Sequence, residues 1–225
     1  MNKILITLTF LLLLISCGGS RNTAQATPDP STHDYGVLIN GIRWATRNVD
    51  APGTFAQNPE DFGMLFQWNR RKGWSAIDEE VEGWDSSVPK GTRWYAENDP
   101  CPEGWRVPTR HELHYLNIAG AASENRTGSR RLTKNGVTGR IFGIEPNQIF
   151  LPMVRIRVSN GTFSKDDISG SYWGSTQYNR EEGSHIGVHT FGISQGGSYR
   201  NFGQSIRCVS KETMPLEEVI LLPLP

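Results

Sequence analysis

The sequence predicts a domain that mixes short antiparallel strands with one or two helices and long loops. Three observations predict it. Gly (24) and Trp (7) are both abundant in 225 residues, which suits a loop-rich body packed around large aromatics better than a helical bundle. Asn40-Gly41 separates Val37-Leu38-Ile39 from Ile42-Arg43-Trp44. This is the strongest short hairpin signal, because both turn residues need positive φ. Thr109-Arg110-His111-Glu112 forms a capping box, and Leu113 and Leu116 follow it at helical spacing.

The chain opens with Met1-Asn2-Lys3, an apolar run from Ile4 to Ile15, and then Ser16-Cys17. A basic start, a short apolar stretch and a small residue before the cut describe a secretory signal. The run falls short of the ~20 residues a membrane-spanning helix needs. Leu14-Ile15-Ser16-Cys17 resembles a bacterial lipobox, which implies cleavage before Cys17 and a diacylglyceryl group on its thiol. The alternative is an ordinary secretory signal in which Cys17 is incidental. The boundaries drawn are 1–16 for the signal peptide, 17–35 for the lipidated cysteine and a flexible polar tether, 36–210 for the globular domain and 211–225 for a tail.

Within the domain, residues 45–58 read as loop around Pro52-Gly53, and Phe62 to Trp68 as a buried strand. Residues 69–100 are a long irregular excursion carrying Trp74, Trp84 and Trp94. A helix is expected over 110–119, stopped by Gly120. Residues 121–140 are polar and basic and read as loop. Strands are expected at 149–151, 171–176, 184–193 and 205–209, separated by turn-forming Gly and Asn. The tail is either an added edge strand or frayed. No internal repeat is present.

Lys+Arg and Asp+Glu are both 23. Removal of 1–16 takes away Lys3 and no acid, leaving 22 against 23, a net charge of −1. That balance argues against nucleic acid as a partner. With Cys17 acylated, Cys101 and Cys208 remain. Two cysteines in an oxidising compartment read as one disulfide, and the alternative is a pair of reduced, buried thiols.

Six segments then fall into one pattern: Gly41–Val49, Gly63–Trp68, Asp99–Thr109, Ile149–Pro152, Gly170–Thr176 and Gly203–Val209. Together, Cys101-Pro102-Glu103-Gly104-Trp105-Arg106-Val107-Pro108-Thr109 and Ser205-Ile206-Arg207-Cys208-Val209 resemble the Fibrobacter succinogenes major paralogous domain of Bacteroidetes and Fibrobacter lipoproteins. The resemblance implies a C-type-lectin-like α+β fold, distantly akin to the formylglycine-generating, sulfatase-modifying domain, and a Cys101–Cys208 bridge. The chain departs from the pattern at Met153-Val154-Arg155-Ile156-Arg157, where the family has small residues.

The candidate chemistry is sparse. A thiol-dependent oxidase has no free cysteine left, and no Gly-x-Ser-x-Gly elbow is present. His111 and His114 stand at i, i+3, not the i, i+4 of a zinc helix. His185 and His189 share a strand face but lie ~13 Å apart, too far for one ion. Glu145-Pro146-Asn147 matches the tripeptide with which mannose-type lectins hold calcium, so Glu145 and Asn147 are candidate metal ligands. A plain turn is the preferred reading there. Trp74, Trp84 and Trp94 either pin the long loop to the body, which is preferred, or offer stacking faces to sugar rings. Acidic clusters at 78–82, 166–167 and 181–182 read as solvated charge.

The expectation is a lipid-anchored outer-membrane protein, facing the periplasm or the cell surface. It has a non-catalytic binding or assembly role toward a glycan or envelope protein, partners the membrane through its lipid and needs no cofactor. The alternatives are a calcium-dependent carbohydrate-binding module and a degenerate relative of the formylglycine-generating enzymes.

Overall fold

The computed structural model describes residues 29–118, 129–165 and 169–212. The expected signal peptide, Cys17, Gly120, the acidic pair at 166–167 and the tail beyond Glu212 lie outside them. The expected α+β, C-type-lectin-like arrangement is corrected by the structure, which is mostly β. Thirteen short strands form four small antiparallel sheets among the described residues, beside one nine-residue helix and a 3-10 turn at Ala96–Asn98.

The first sheet runs β1-β2-β13-β5, with β1 at Val37–Ile39, β2 at Ile42–Trp44, β5 at Trp105–Arg106 and β13 at Val209–Ser210. Its β1–β2 hairpin turns at Asn40 (φ 49°) and Gly41 (φ 75°), as the sequence requires. The second runs β12-β3-β4, with β3 at Met64–Gln67, β4 at Gly73–Ser75 and β12 at Gly203–Gln204.

The third sheet, β6-β7-β8, occupies Ser129–Lys134, Val137–Ile144 and Asn147–Pro152. It overturns the expected loop over the described part of that stretch, 129–140: Asn135 (φ 49°) and Gly136 (φ 83°) make a second tight turn. The fourth, β11-β10-β9, occupies Gly192–Tyr199, Glu182–His189 and Ser169–Gln177. The single strand expected at 184–193 is thus a hairpin that reverses at Thr190-Phe191. The strand expected at 205–209 is interrupted: Ser205 makes an isolated parallel bridge to Tyr172, and ladder pairing resumes at β13.

The helix α1, Arg110–Ile118, forms where the capping box places it. Thr109 N donates to Glu112 Oε2 at 2.7 Å, and Glu112 N donates to Thr109 Oγ1 at 3.2 Å. Arg106 adds a two-pronged ion pair to the same carboxylate, at 2.8 and 2.6 Å. Burial opposes ionisation of Glu112, but Arg106 and the Thr109 amide outweigh it and hold the carboxyl below its ordinary range. Leu113 and Leu116 are the buried face.

Two large apolar clusters, with a smaller one around Leu65, Ala76 and Val154, fill the interior. One joins Ile39, Trp44, the α1 leucines, Phe142, Leu151, Tyr172, Ile186 and Val188. The other gathers Phe66, Trp68, Trp94, Trp105, Trp173, Ile206 and both cysteines. Trp44, Trp68, Trp105 and Trp173 are core. A buried tryptophan withdraws roughly 150–250 Å² from water, an upper estimate of about 4–6 kcal/mol each. Trp68 Nε1 donates to Gly174 O at 2.9 Å and Trp173 Nε1 to Phe66 O at 2.7 Å, so these two rings also tie β3 to β9.

Cys101 and Cys208 are bonded to each other across 107 residues. A loop of that length strongly restricts the unfolded chain. Replacing both cysteines by alanine is therefore expected to cost roughly 2–5 kcal/mol of unfolding free energy. Urea denaturation of the two proteins measures it, and equal midpoints would refute it.

Burial pushes the pKa of His185 down, against the opposing pull of nearby Gln204. Above the ordinary value of about 6.5 the ring is neutral in both states. Below it the unfolded chain takes up a proton that the folded chain refuses, so stability is lost as pH falls through the folded value. Denaturation at successive pH values below about 6.5 is expected to show this loss, and His185→Gln is expected to flatten it.

Candidate functional site

A groove of about 580 Å³ opens between the loop that follows β2 and the β3–β4 hairpin. Its apolar lining is Phe62, Met64, Ala76, Ile77 and Val137, and Asp50, Glu60, Asp61 and Asp78 add four carboxylates. Ile77 is 72% exposed, an unusual position for a side chain that gains from leaving water.

Both walls are fixed by polar groups. On one side Asn48 Nδ2 reaches Phe62 O at 3.0 Å, and Asp61 Oδ2 accepts from Asn58 N at 2.8 Å. Glu60 meets Lys134 Nζ at 2.9 Å and also accepts from Asn135, which fastens this wall to the β6–β7 hairpin. The Lys134 ammonium beside Glu60 holds its carboxyl below the usual range. Three of the four carboxylates, those of Asp50, Asp61 and Asp78, form no ion pair among the described residues.

The opposite wall hangs on Arg157, which is fully buried. Its guanidinium donates to Ser75 O at 3.0 Å, Gly161 O at 2.7 Å, Glu79 O at 3.4 Å and Asp78 O, and it lies 4.0 Å from the Phe163 ring centroid. Ser75 Oγ accepts from Asp78 N at 3.0 Å. Arg157 thus holds the 75–79 wall. Desolvation lowers its pKa, with Asp78 and Glu79 opposing.

A second concavity of about 520 Å³ lies between residues 88–92 and the turn after β9, with Lys90, Arg180, Glu181 and Arg200 in its lining. Arg200 donates to Gly91 O at 2.8 Å and Asn179 O at 2.7 Å, and stacks 4.4 Å over the Trp68 ring. No family model, curated protein or solved structure matches this chain. The site is therefore read from its own residues.

Of the candidate stacking residues two are buried and Trp84 is half-buried. Trp74 and Trp94 are 5% and 7% exposed. The Trp84 ring lies 4.9 Å from that of Trp74, and its Nε1 donates to Ser159 O at 2.9 Å. Lys72 caps Trp74 at 3.9 Å. These contacts pin the loop to the body.

Glu145 and Asn147 sit exposed at the β7–β8 turn, where the Glu145–Pro146 peptide is cis, and the preferred reading of a plain turn describes them. Among the described residues no group of three or more His, Cys, Asp or Glu gathers as an ion site. His111 and His114 are exposed on α1, and His114 Nδ1 lies 3.1 Å from Gln195 Oε1. His185 and His189 both lie in β10, with His189 Nε2 2.8 Å from Ser194 Oγ.

The groove residues went unmarked in the sequence because no motif joins them. Asp78 was read as solvated charge, and Asp50, Glu60 and Asp61 carried no pattern. Arg157→Met is expected to leave the Ser75, Asp78, Glu79 and Gly161 carbonyls without their partner. It is expected to cost roughly 3 kcal/mol or more, and to speed amide exchange over 75–82 beyond that elsewhere in the domain. Unchanged protection there would rule out the wall-holding role.

Proposed function

We propose that this chain is a lipid-anchored protein of the bacterial cell envelope, of the Fibrobacter succinogenes major paralogous kind. In this reading its domain is a non-catalytic binding module. Its ligand is a segment of an envelope protein that carries apolar and basic side chains, seated in the groove beside Ile77.

One observation carries the reading: an exposed apolar lining beside three carboxylates without ion-pair partners among the described residues, between walls fixed by buried polar contacts. A fixed groove spares a ligand the cost of ordering its site. Apolar area supplies affinity, and the acidic rim selects a basic partner and speeds encounter. The protein ligand is favoured over a glycan because Trp74 and Trp94 are interior and the half-buried Trp84 is engaged with Trp74 and Ser159. Both cysteines of the domain are spent in the bridge, which supports binding over thiol chemistry. The lipid anchor and the envelope location rest on the first seventeen residues.

Two measurements test this reading. Mass spectrometry of the protein from its native membrane is expected to find a chain beginning at Cys17 and carrying acyl groups. An unacylated chain that still begins at Met1 would overturn the anchor. Arrayed peptides combining Lys or Arg with Leu or Ile are expected to bind, more weakly as salt rises. Asp61→Lys and Ile77→Asp are each expected to weaken binding about tenfold or more. Binding that both variants leave intact would remove the groove from the proposal.

A further inference from the structure

β11 is the outer strand of its sheet. Its inner edge pairs with β10 in unbroken register from Glu182↔Tyr199 to His189↔Gly192. Its outer edge meets no strand among the described residues. Among them, residues 192–198 make no backbone hydrogen bond outside the β10 ladder. An antiparallel strand directs every other residue's N–H and C=O away from its partner, so a row of donors and acceptors faces outward.

Proteins normally guard such an edge with brevity, charge, proline or a bulge. The other outer strands are guarded in these ways or covered: β8 ends at Pro152 and its Phe150 O accepts from Arg207, and β9 shares backbone bonds on its outer edge with Thr92, Trp94 and Ser205. β6 carries Arg130, Arg131 and Lys134, while β1, β4, β5 and β12 are two or three residues long. β11 has none of these guards. Its eight residues, Gly192-Ile193-Ser194-Gln195-Gly196-Gly197-Ser198-Tyr199, hold no charge and no proline. The register irregularity in this sheet falls between β10 and β9, on the far side.

We propose that β11 is a homodimer edge, on which a second copy of this chain adds its own β11 in antiparallel register to make one continuous six-stranded sheet. Unpaired amides in a row call for an extended strand, because only a strand meets them at their own spacing. Charge selects the second copy. A symmetric contact brings each side chain near its own kind, and like charges opposite one another destabilise a strand pair. From Thr190 to Tyr199 there is no charge to repel, whereas a charged partner strand finds no complement there.

The aromatics at the two ends fit the same symmetry. Phe191, at the hairpin tip, is 91% exposed, and Tyr199, at the far end, is 52% exposed. With Gln195 opposite its symmetry mate, Phe191 of each copy stands opposite Tyr199 of the other, so two aromatic pairs close the ends of the contact.

Gly196 supplies the clean variant. Its φ is not left-handed, and no atom lies within 4 Å of where a Cβ would stand. Gly196→Lys therefore fits the monomer and sets two ammonium groups near the two-fold axis of the dimer. Sedimentation of the purified full-length chain is expected to show mass rising to twice that of the chain with concentration, with slowed amide exchange over 192–199. Gly196→Lys is expected to keep the thermal midpoint and weaken association about tenfold or more. Phe191→Ser is expected to weaken it less. A wild-type chain that stays monomeric throughout, a dimer that Gly196→Lys leaves unchanged, or a dimer protected elsewhere than 192–199 each overturns the proposal.

Discussion

The structure depends on a charge buried without a countercharge. Arg207 is fully enclosed, and no carboxylate pairs with it among the described residues. It donates instead to Asn48 Oδ1 at 2.7 and 3.0 Å, to the Ala45 and Thr46 carbonyls, and to Phe150 O at 3.0 Å. Two stretches, residues 45–48 and β8, are thus joined by one side chain. Desolvation pulls its pKa down to about 10, so it remains a cation at neutral pH while bearing the cost of leaving water. That cost is tolerable only because the ring of carbonyl and amide oxygens is complete. Cys208, its neighbour in sequence, adds the covalent tie to Cys101.

The same solution recurs. Arg140 is buried and donates to Ser129 O at 2.9 Å and to the His189 and Thr190 carbonyls at 3.1 Å, which joins the third sheet to the fourth. Arg157 gathers the groove wall and Arg200 the 88–92 segment. The cause lies in the architecture. Four small sheets leave many backbone carbonyls outside any ladder, and a buried carbonyl without a partner is costly. A guanidinium, with five donors in a plane, serves several at once. The arginines here substitute for the long ladders that a larger sheet would provide.

This explains what the sequence made legible. Motifs that act locally are legible: the Asn40-Gly41 turn and the Thr109–Glu112 cap depend on neighbours a few residues away. Asn135-Gly136 carries the same turn signal, but its flank Arg130-Arg131-Leu132-Thr133-Lys134 is polar because β6 is an exposed edge, so the hairpin passed for loop. The turn at Thr190-Phe191 has neither Gly nor Asn, so two strands looked like one. The long 69–100 excursion was recognised, and the preferred role of its tryptophans as pins describes them. Its attachment to Arg157, some 80 residues on, is a long-range fact that periodicity does not encode. The same holds for the groove, whose lining comes from three separate stretches of chain.

The arrangement around Arg47 determines how the domain carries load. Its guanidinium grips Pro30 O at 2.8 Å and the His33 carbonyl, and it faces Asp34 at 3.3 Å, while Phe55 N donates to Ser31 O at 2.6 Å. Tension applied ahead of Asp29 therefore meets several lateral bonds together, and they shear as a group instead of unzipping one by one. What passes them enters residues 45–48, the stretch Arg207 holds, and from there the force has a covalent shortcut across 107 residues of chain. A pull on the leading end is thus borne by one corner of the molecule, leaving the free edge of β11 unstressed.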